Sequence, residues 1–265
     1  MNRLAIETPN NGTIDIFLPD GDFIDMLLIQ NGMVGLSPDI YLKELSDRYS
    51  SKLKDLLTPK VLEYFKNFAD QNKQIVVLDV GCGNSIFDII LYKFFQSKNI
   101  NNARFMLVDG NEVNDNSNTM YSLDHAPYNN WDQVYRCINL NGCTQSHFIN
   151  VDYKQPVWSQ IPVNLVISCA SWGWHYPLSK YVDKVNDMLA NNGLLFLHPI
   201  IDIDNPLELL NSKFKTIIRM SYKDHFVTKG HNGYEHHYWE NIPGWHKDLL
   251  IHTGIWQKTN GNLLP

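Results

Sequence analysis

The chain has 265 residues, 44% of them hydrophobic and 19% charged, with a formal charge of −6 at pH 7. That hydrophobic content excludes a disordered chain, and 15 glycines exclude a collagen-like one. The length suits one large domain, or a domain with a small appendage, whose core needs no disulfide or metal staple, and the acidic balance disfavours nucleic acid as a partner.

Four cysteines stand at positions 82, 137, 143 and 169 with no Cys-x-x-Cys pair among them. They read as small buried hydrophobes in a reducing compartment, not as a zinc or dithiol site. The N-terminus has no charged lead before an apolar core, and no run approaches 18 apolar residues. The expectation is a soluble, cytoplasmic protein without a membrane segment.

In chain order, Ile14–Leu18 is followed by Pro19-Asp20-Gly21-Asp22 and a second apolar run. This predicts either a hairpin about that turn or a strand followed by a short helix. Ser37-Pro38 and Thr58-Pro59 each place a capping hydroxyl before a proline at the first helical position. The first opens a helix with Tyr41, Leu42, Leu45, Tyr49 and Leu53 on one side, and the second a helix with Val61, Leu62, Phe65 and Phe68. Residues 1–73 are therefore expected to form a mostly helical N-terminal cap.

From Gln74 short apolar runs alternate with helical patterns. Strands are predicted at 75–80, 104–109, 147–151, 163–168 and 194–199, and helices at 85–97, 130–141 and 178–190. The last helix is expected to stop at Asn191-Asn192-Gly193. A final antiparallel hairpin is placed at 214–221 and about 250–258. Strands apolar on both faces and separated by helices imply a doubly wound, mostly parallel sheet of seven strands over 74–265. Ligands of such sheets sit beyond the carboxyl ends of the strands, so the chemistry should follow each strand.

The first of these strands runs into Asp79-Val80-Gly81-Cys82-Gly83-Asn84-Ser85. Two glycines let the backbone bend with positive φ and approach a ligand closely, and a helix N-terminus follows with unpaired N–H groups. A dinucleotide fingerprint wants a third glycine at position 86, where this chain has Ile, so NAD and FAD are disfavoured. Val77-Leu78-Asp79-Val80-Gly81-Cys82-Gly83 closely resembles motif I of the class I S-adenosylmethionine (SAM)-dependent methyltransferases, with Ser85 where that family often has another glycine. The resemblance covers about residues 74–200 in strand order.

The resemblance implies SAM as cofactor and a set of contacts to it. The Gly81–Cys82–Gly83 turn would pass under its methionyl part, and Asp79 would reach its amino end. Asp109, closing the second strand, would accept both ribose hydroxyls, a charge-assisted arrangement. Asp152 would accept from the adenine amino group, and Ser168, ending the fourth strand, would also lie against the cofactor. Family subclasses with Asn/Asp-Pro-Pro-Tyr/Phe, with a Mg²⁺-holding acid after the fourth strand, or with a Lys-Asp-Lys-Glu set are not matched, because Ser168-Cys169-Ala170-Ser171 stands there.

Next come Trp172, Trp174, His175 and Tyr176. Methyl transfer from a sulfonium is an in-line displacement, so positioning and exclusion of water dominate. Trp172, Trp174 and Tyr176 suit a cationic centre and an acceptor, and His175 has the pKa to take a hydroxyl proton. The bland alternative is that the tryptophans are core and His175 a satisfied neighbour. Six of the ten histidines lie between 225 and 252, interleaved with aromatics, five of them inside an insertion at about 222–248. His236 and Trp239 are taken there as substrate-facing. The histidine spacing does not match a zincin-type helix, and no metal is expected. The reading is a SAM-dependent methyltransferase acting on a small molecule, at oxygen in preference to nitrogen. Protein methylation, or cofactor binding without catalysis, are the alternatives, and the oligomeric state is not legible.

Overall fold

The computed structural model describes residues 2–21, 23–24, 27–28, 36–71, 73–110, 130–169, 171–172, 177–201, 205–224 and 249–259. The chain opens with two antiparallel strands, β1 (Asn2–Glu7) and β2 (Thr13–Leu18), in register from Asn2↔Leu18 to Glu7↔Thr13. The strand at 13–18 thus pairs backwards across Thr8–Gly12 rather than forwards across the Pro19–Asp22 turn. Thr8 makes the earlier turn: its carbonyl accepts from Asn11 N, and its hydroxyl is bonded to both backbone groups of Gly12. Two helices follow, α1 (Pro38–Leu56) and α2 (Pro59–Asp70), each with its proline at the start. The first 73 residues thus add a two-stranded hairpin to helices of 19 and 12 residues.

The remaining elements are β3 (Ile75–Val80), α3 (Ile86–Ser97), β4 (Ala103–Asp109), α4 (Trp131–Leu140), β5 (Phe148–Asp152), β6 (Val163–Cys169), α5 (Val182–Met188), β7 (Leu189–Ile201), α6 (Pro206–Asn211), β8 (Phe214–Asp224) and β9 (Leu249–Lys258). They build a mixed seven-stranded sheet in the order β5-β4-β3-β6-β7-β9-β8. Pairings are parallel from β5 to β7, and β9 runs antiparallel to both its neighbours. The order reverses between β3 and β6, which opens a crevice at their carboxyl ends.

Alternation along β3 explains the layers. Ile75 and Val77 face α1 to α4, whereas Val76, Leu78 and Val80 face α5 and α6. The N-terminal hairpin and α1 share the first of these cores with α3 and α4, so they are not a detached cap. Polar ties hold the hairpin there. Asn141, at the end of α4, accepts from Phe17 N at 2.9 Å and donates to Phe17 O at 2.7 Å, while Lys93 Nζ donates to Asp15 O at 2.7 Å.

One predicted boundary differs. Helix α5 ends at Met188, and residues 191–193 lie inside β7, where the register with β6 jumps from Val163↔Leu189 to Leu165↔Leu194. The Asn-Asn-Gly segment is an irregularity within the strand, and Asn192, not Gly193, takes the left-handed conformation (φ 63°).

Candidate cofactor site at the carboxyl ends of the strands

The bend after β3 is fastened to β4. Gly81 N and Cys82 N both donate to Val108 O, at 2.8 and 3.3 Å, and Gly83 N donates to Asp109 Oδ2 at 2.7 Å. The other oxygen of Asp109 accepts from Gly110 N at 2.8 Å. Gly81 and Gly83 adopt φ of 77° and 51°, a region that favours glycine. A Cβ on Gly81 would stand 1.9 Å from Ser171 Oγ, so the loop after β6 packs directly on the bend. The helix N-terminus is less open than the sequence reading assumed, since Ile86 N is taken by Asn84 Oδ1 at 3.1 Å. Asn84 is in turn bonded to the hydroxyl of Tyr49 on α1, which brings the N-terminal region onto the cofactor loop.

Asp79 and Asp88 lie between β3 and α3, 3% and 0% exposed. Burial raises Asp79 to about 7, with a further upward push from Asp109 and opposing effects of its bond to Asp88 and of Lys52. Burial, then the charge of Asp79, raises Asp88 well above the ordinary carboxylate range. Burial, then the surrounding carboxylates, pushes the Cys82 thiol up and keeps it protonated. Burial likewise pushes Cys169 up to about 12, although Lys52 opposes it.

Several residues singled out in the sequence have different places. Ser168 is wholly buried, and its hydroxyl donates to Val80 O at 2.7 Å and accepts from Trp172 N at 2.9 Å. It pins the ends of β3 and β6 together. Trp172 is also fully buried, donates to Leu178 O at 3.0 Å and meets Tyr181 edge-on, packed in the core beneath the site. Asp152 sits opposite Asp109 across β4 and β5; it is exposed, and its Oδ1 accepts from Lys154 N at 2.8 Å in a turn. Trp174, His175, Tyr176, His236 and Trp239 lie outside the described residues. Among the described residues no group of three or more His, Cys, Asp or Glu side chains is placed to hold a metal ion.

The structure adds residues that the sequence reading passed over. His198 ends the apolar run of β7 directly opposite Cys169 on β6, its ring stacked on Phe196. Its Nδ1 lies 3.0 Å from Thr253 Oγ1 and 3.9 Å from Asp55 Oδ2 on α1. Burial, then the charge of Lys52, lowers His198 to about 3, which keeps the ring neutral. Lys52, Asp55 and Tyr49 come from one face of α1, so this helix supplies one wall of the crevice. A histidine at a strand's carboxyl end was a readable signal; the α1 contribution was not.

No protein-family model matches the chain, and no curated protein does. Solved structures that it resembles include the [4+2]-cyclase SpnF (11% identity, 93% of this chain and 99% of that one, TM-score 0.49). Others are residues 961–1257 of the O-methyltransferase StiE (14%, 98% and 91%, TM-score 0.48) and a putative class I SAM-dependent methyltransferase from Listeria monocytogenes (12%, 90% and 79%, TM-score 0.45). The chemistry rests on the residues themselves. Among the described residues no helix is long and apolar enough to cross a membrane.

Proposed function

We propose that this chain is a SAM-dependent methyltransferase whose acceptor is a small molecule, methylated at oxygen in preference to nitrogen. The observation that carries the reading is the motif Val77–Gly83 itself, laid as a positive-φ bend at the reversal of strand order and tied through Gly83 N to the carboxylate that ends β4.

The residues fit such a cofactor. Asp109 is held by the backbone N–H groups of Gly83 and Gly110, with the Cys82 thiol 3.9 Å from its Oδ2, which fixes a carboxylate at the end of β4 where a vicinal diol would meet it. Oδ1 of Asp79 is buried without a hydrogen-bond partner, a place that an ammonium or a protonated carboxyl would satisfy. When bound, SAM supplies a methyl group activated on a sulfonium. Asp109 would hold the ribose, and Gly81 and Gly83 admit the close approach of the chain to the methionyl part. Helix α1 would shield the reacting end from water with Tyr49, Lys52 and Asp55. His175 would take the acceptor's proton, and His198, held neutral, would accept a hydrogen bond from the acceptor.

Calorimetric titration with SAM and with S-adenosylhomocysteine tests the binding reading. Incubation with methyl-labelled SAM and mass spectrometry of extracted small molecules and of protein tests transfer. A labelled small molecule supports the proposal; label on protein, or tight binding with no transfer to any acceptor, replaces it with one of the other readings.

A further inference from the structure

Helix α3 reads Ile-Phe-Asp-Ile-Ile-Leu-Tyr-Lys-Phe-Phe, and its third residue, Asp88, is the acid of its first turn. It is completely buried, and neither of its oxygens, nor Oδ1 of Asp79, is satisfied by a donor from any residue outside the pair. Two ionised carboxylates placed so would repel in a medium that cannot hydrate them. The two side chains are nonetheless within bonding reach of each other, and Asp88 has little other support than its own backbone N–H. Carboxyl groups bond to one another only through a proton. The groups that bear on them are Asp109 on β4, Cys82 in the bend, Cys169 on β6 and Lys52 on α1, and only Lys52 carries positive charge. Its Nζ stands over the Tyr49 ring, 5.2 Å from the centroid.

We propose that Asp79 and Asp88 share one proton in the unliganded chain and release it to solvent when a cationic ligand settles on the Gly81–Gly83 bend. Loss of that proton takes the pair from one negative charge to two, with Asp79 two residues before the bend, and the arriving cation balances the added charge. The ligand half of this statement rests on the SAM reading above, whereas the shared proton does not. Burial pushes both acids up, Asp79 to about 7 and Asp88 well above the ordinary carboxylate range, so the pair holds a proton at neutral pH. Affinity for the cation should weaken as pH falls through the range in which the pair takes up that proton.

Two measurements decide it. The first is calorimetry of SAM binding near pH 7.5 in buffers of different ionisation heat. The pair predicts close to one proton released per SAM, and similar release with S-adenosylhomocysteine, whose ammonium remains. Asp88→Asn should bind without release. SAM binding with no buffer-dependent heat overturns the linkage. The second uses the unliganded wild-type chain: a protonated-carboxyl infrared band should persist near pH 7.5, where an ordinary carboxyl has ionised, and be lost in Asp88→Asn. Its absence in the wild-type chain near pH 7.5 overturns the shared proton. If SAM does not bind at all, the methyltransferase reading falls, and the infrared band still decides the pair.

Discussion

Asp109 at the end of β4 grips the bend that leaves β3, its Oδ2 receiving the N–H of Gly83 at 2.7 Å. The same carboxylate is therefore both a structural tie and the proposed ribose acceptor. Asp109→Ala removes both roles: the orphaned, part-buried N–H of Gly83 should cost about 1 kcal/mol of stability, and SAM affinity should fall roughly tenfold to a hundredfold. Chemical denaturation and calorimetry of this variant check the two effects separately. Asp109→Asn keeps a side-chain oxygen for Gly83, so it should retain most of the stability and still lose affinity.

Gly81 carries a second consequence of the bend. An alanine there meets Ser171 Oγ at 1.9 Å and must also hold φ near 77°. The backbone conformation alone costs about 1–2 kcal/mol, and the collision adds to it. Gly81→Ala combined with Ser171→Gly should recover the collision part only. Unfolding midpoints of the two single variants and the double variant measure the coupling; strictly additive effects would show that Ser171 does not pack on the bend.

Trp172 distinguishes core from pocket wall. Truncation to Ala should cost about 3–5 kcal/mol, because a fully buried indole and its bond to Leu178 O are lost. Trp172→Phe should lower stability by less and leave KM for the acceptor unchanged. A raised KM with unchanged stability would return this residue to the substrate pocket.

His198 and the Asp79–Asp88 pair shape the pH dependence with opposite signs. The folded pKa of His198 lies near 3, below the unfolded value of about 6.5, so its contribution to stability is present above pH 6.5 and is lost as pH falls towards 3. His198→Gln, which keeps an acceptor for Thr253, should reduce the loss of thermal stability between pH 7 and pH 4. For the acids the folded values are raised above the unfolded value of about 3.9, Asp79 to about 7 and Asp88 well above the ordinary range, so their contribution is present below about pH 4 and is lost as pH rises towards those folded values. Asp88→Asn should therefore flatten the decline on that side. Thermal unfolding of the two variants across pH 4–9 checks both signs.

The sheet strands and the bend were legible because β3 and its neighbours are apolar on both faces and end in the glycine motif. Pairing partners were less so. Nothing in Ile14–Leu18 shows that it turns back to Asn2–Glu7 instead of onward, since the deciding interactions are the Thr8–Gly12 bonds and the distant Asn141. The bonds of Ser168 and Trp172 were not legible for a related reason: a strand-end position says where a side chain starts, not that Val80 O or Leu178 O will take its donor. Lys52 and Asp55 reach His198 across more than 140 residues of sequence through the packing of α1. Asp88 was visible as an acid amid an apolar helix, but its meaning depends on Asp79 lying opposite.

The most direct test of the account is titration of the folded wild-type chain with SAM near pH 8. The account predicts saturable one-to-one binding that Asp109→Ala weakens. A properly folded chain that takes up no SAM would contradict it.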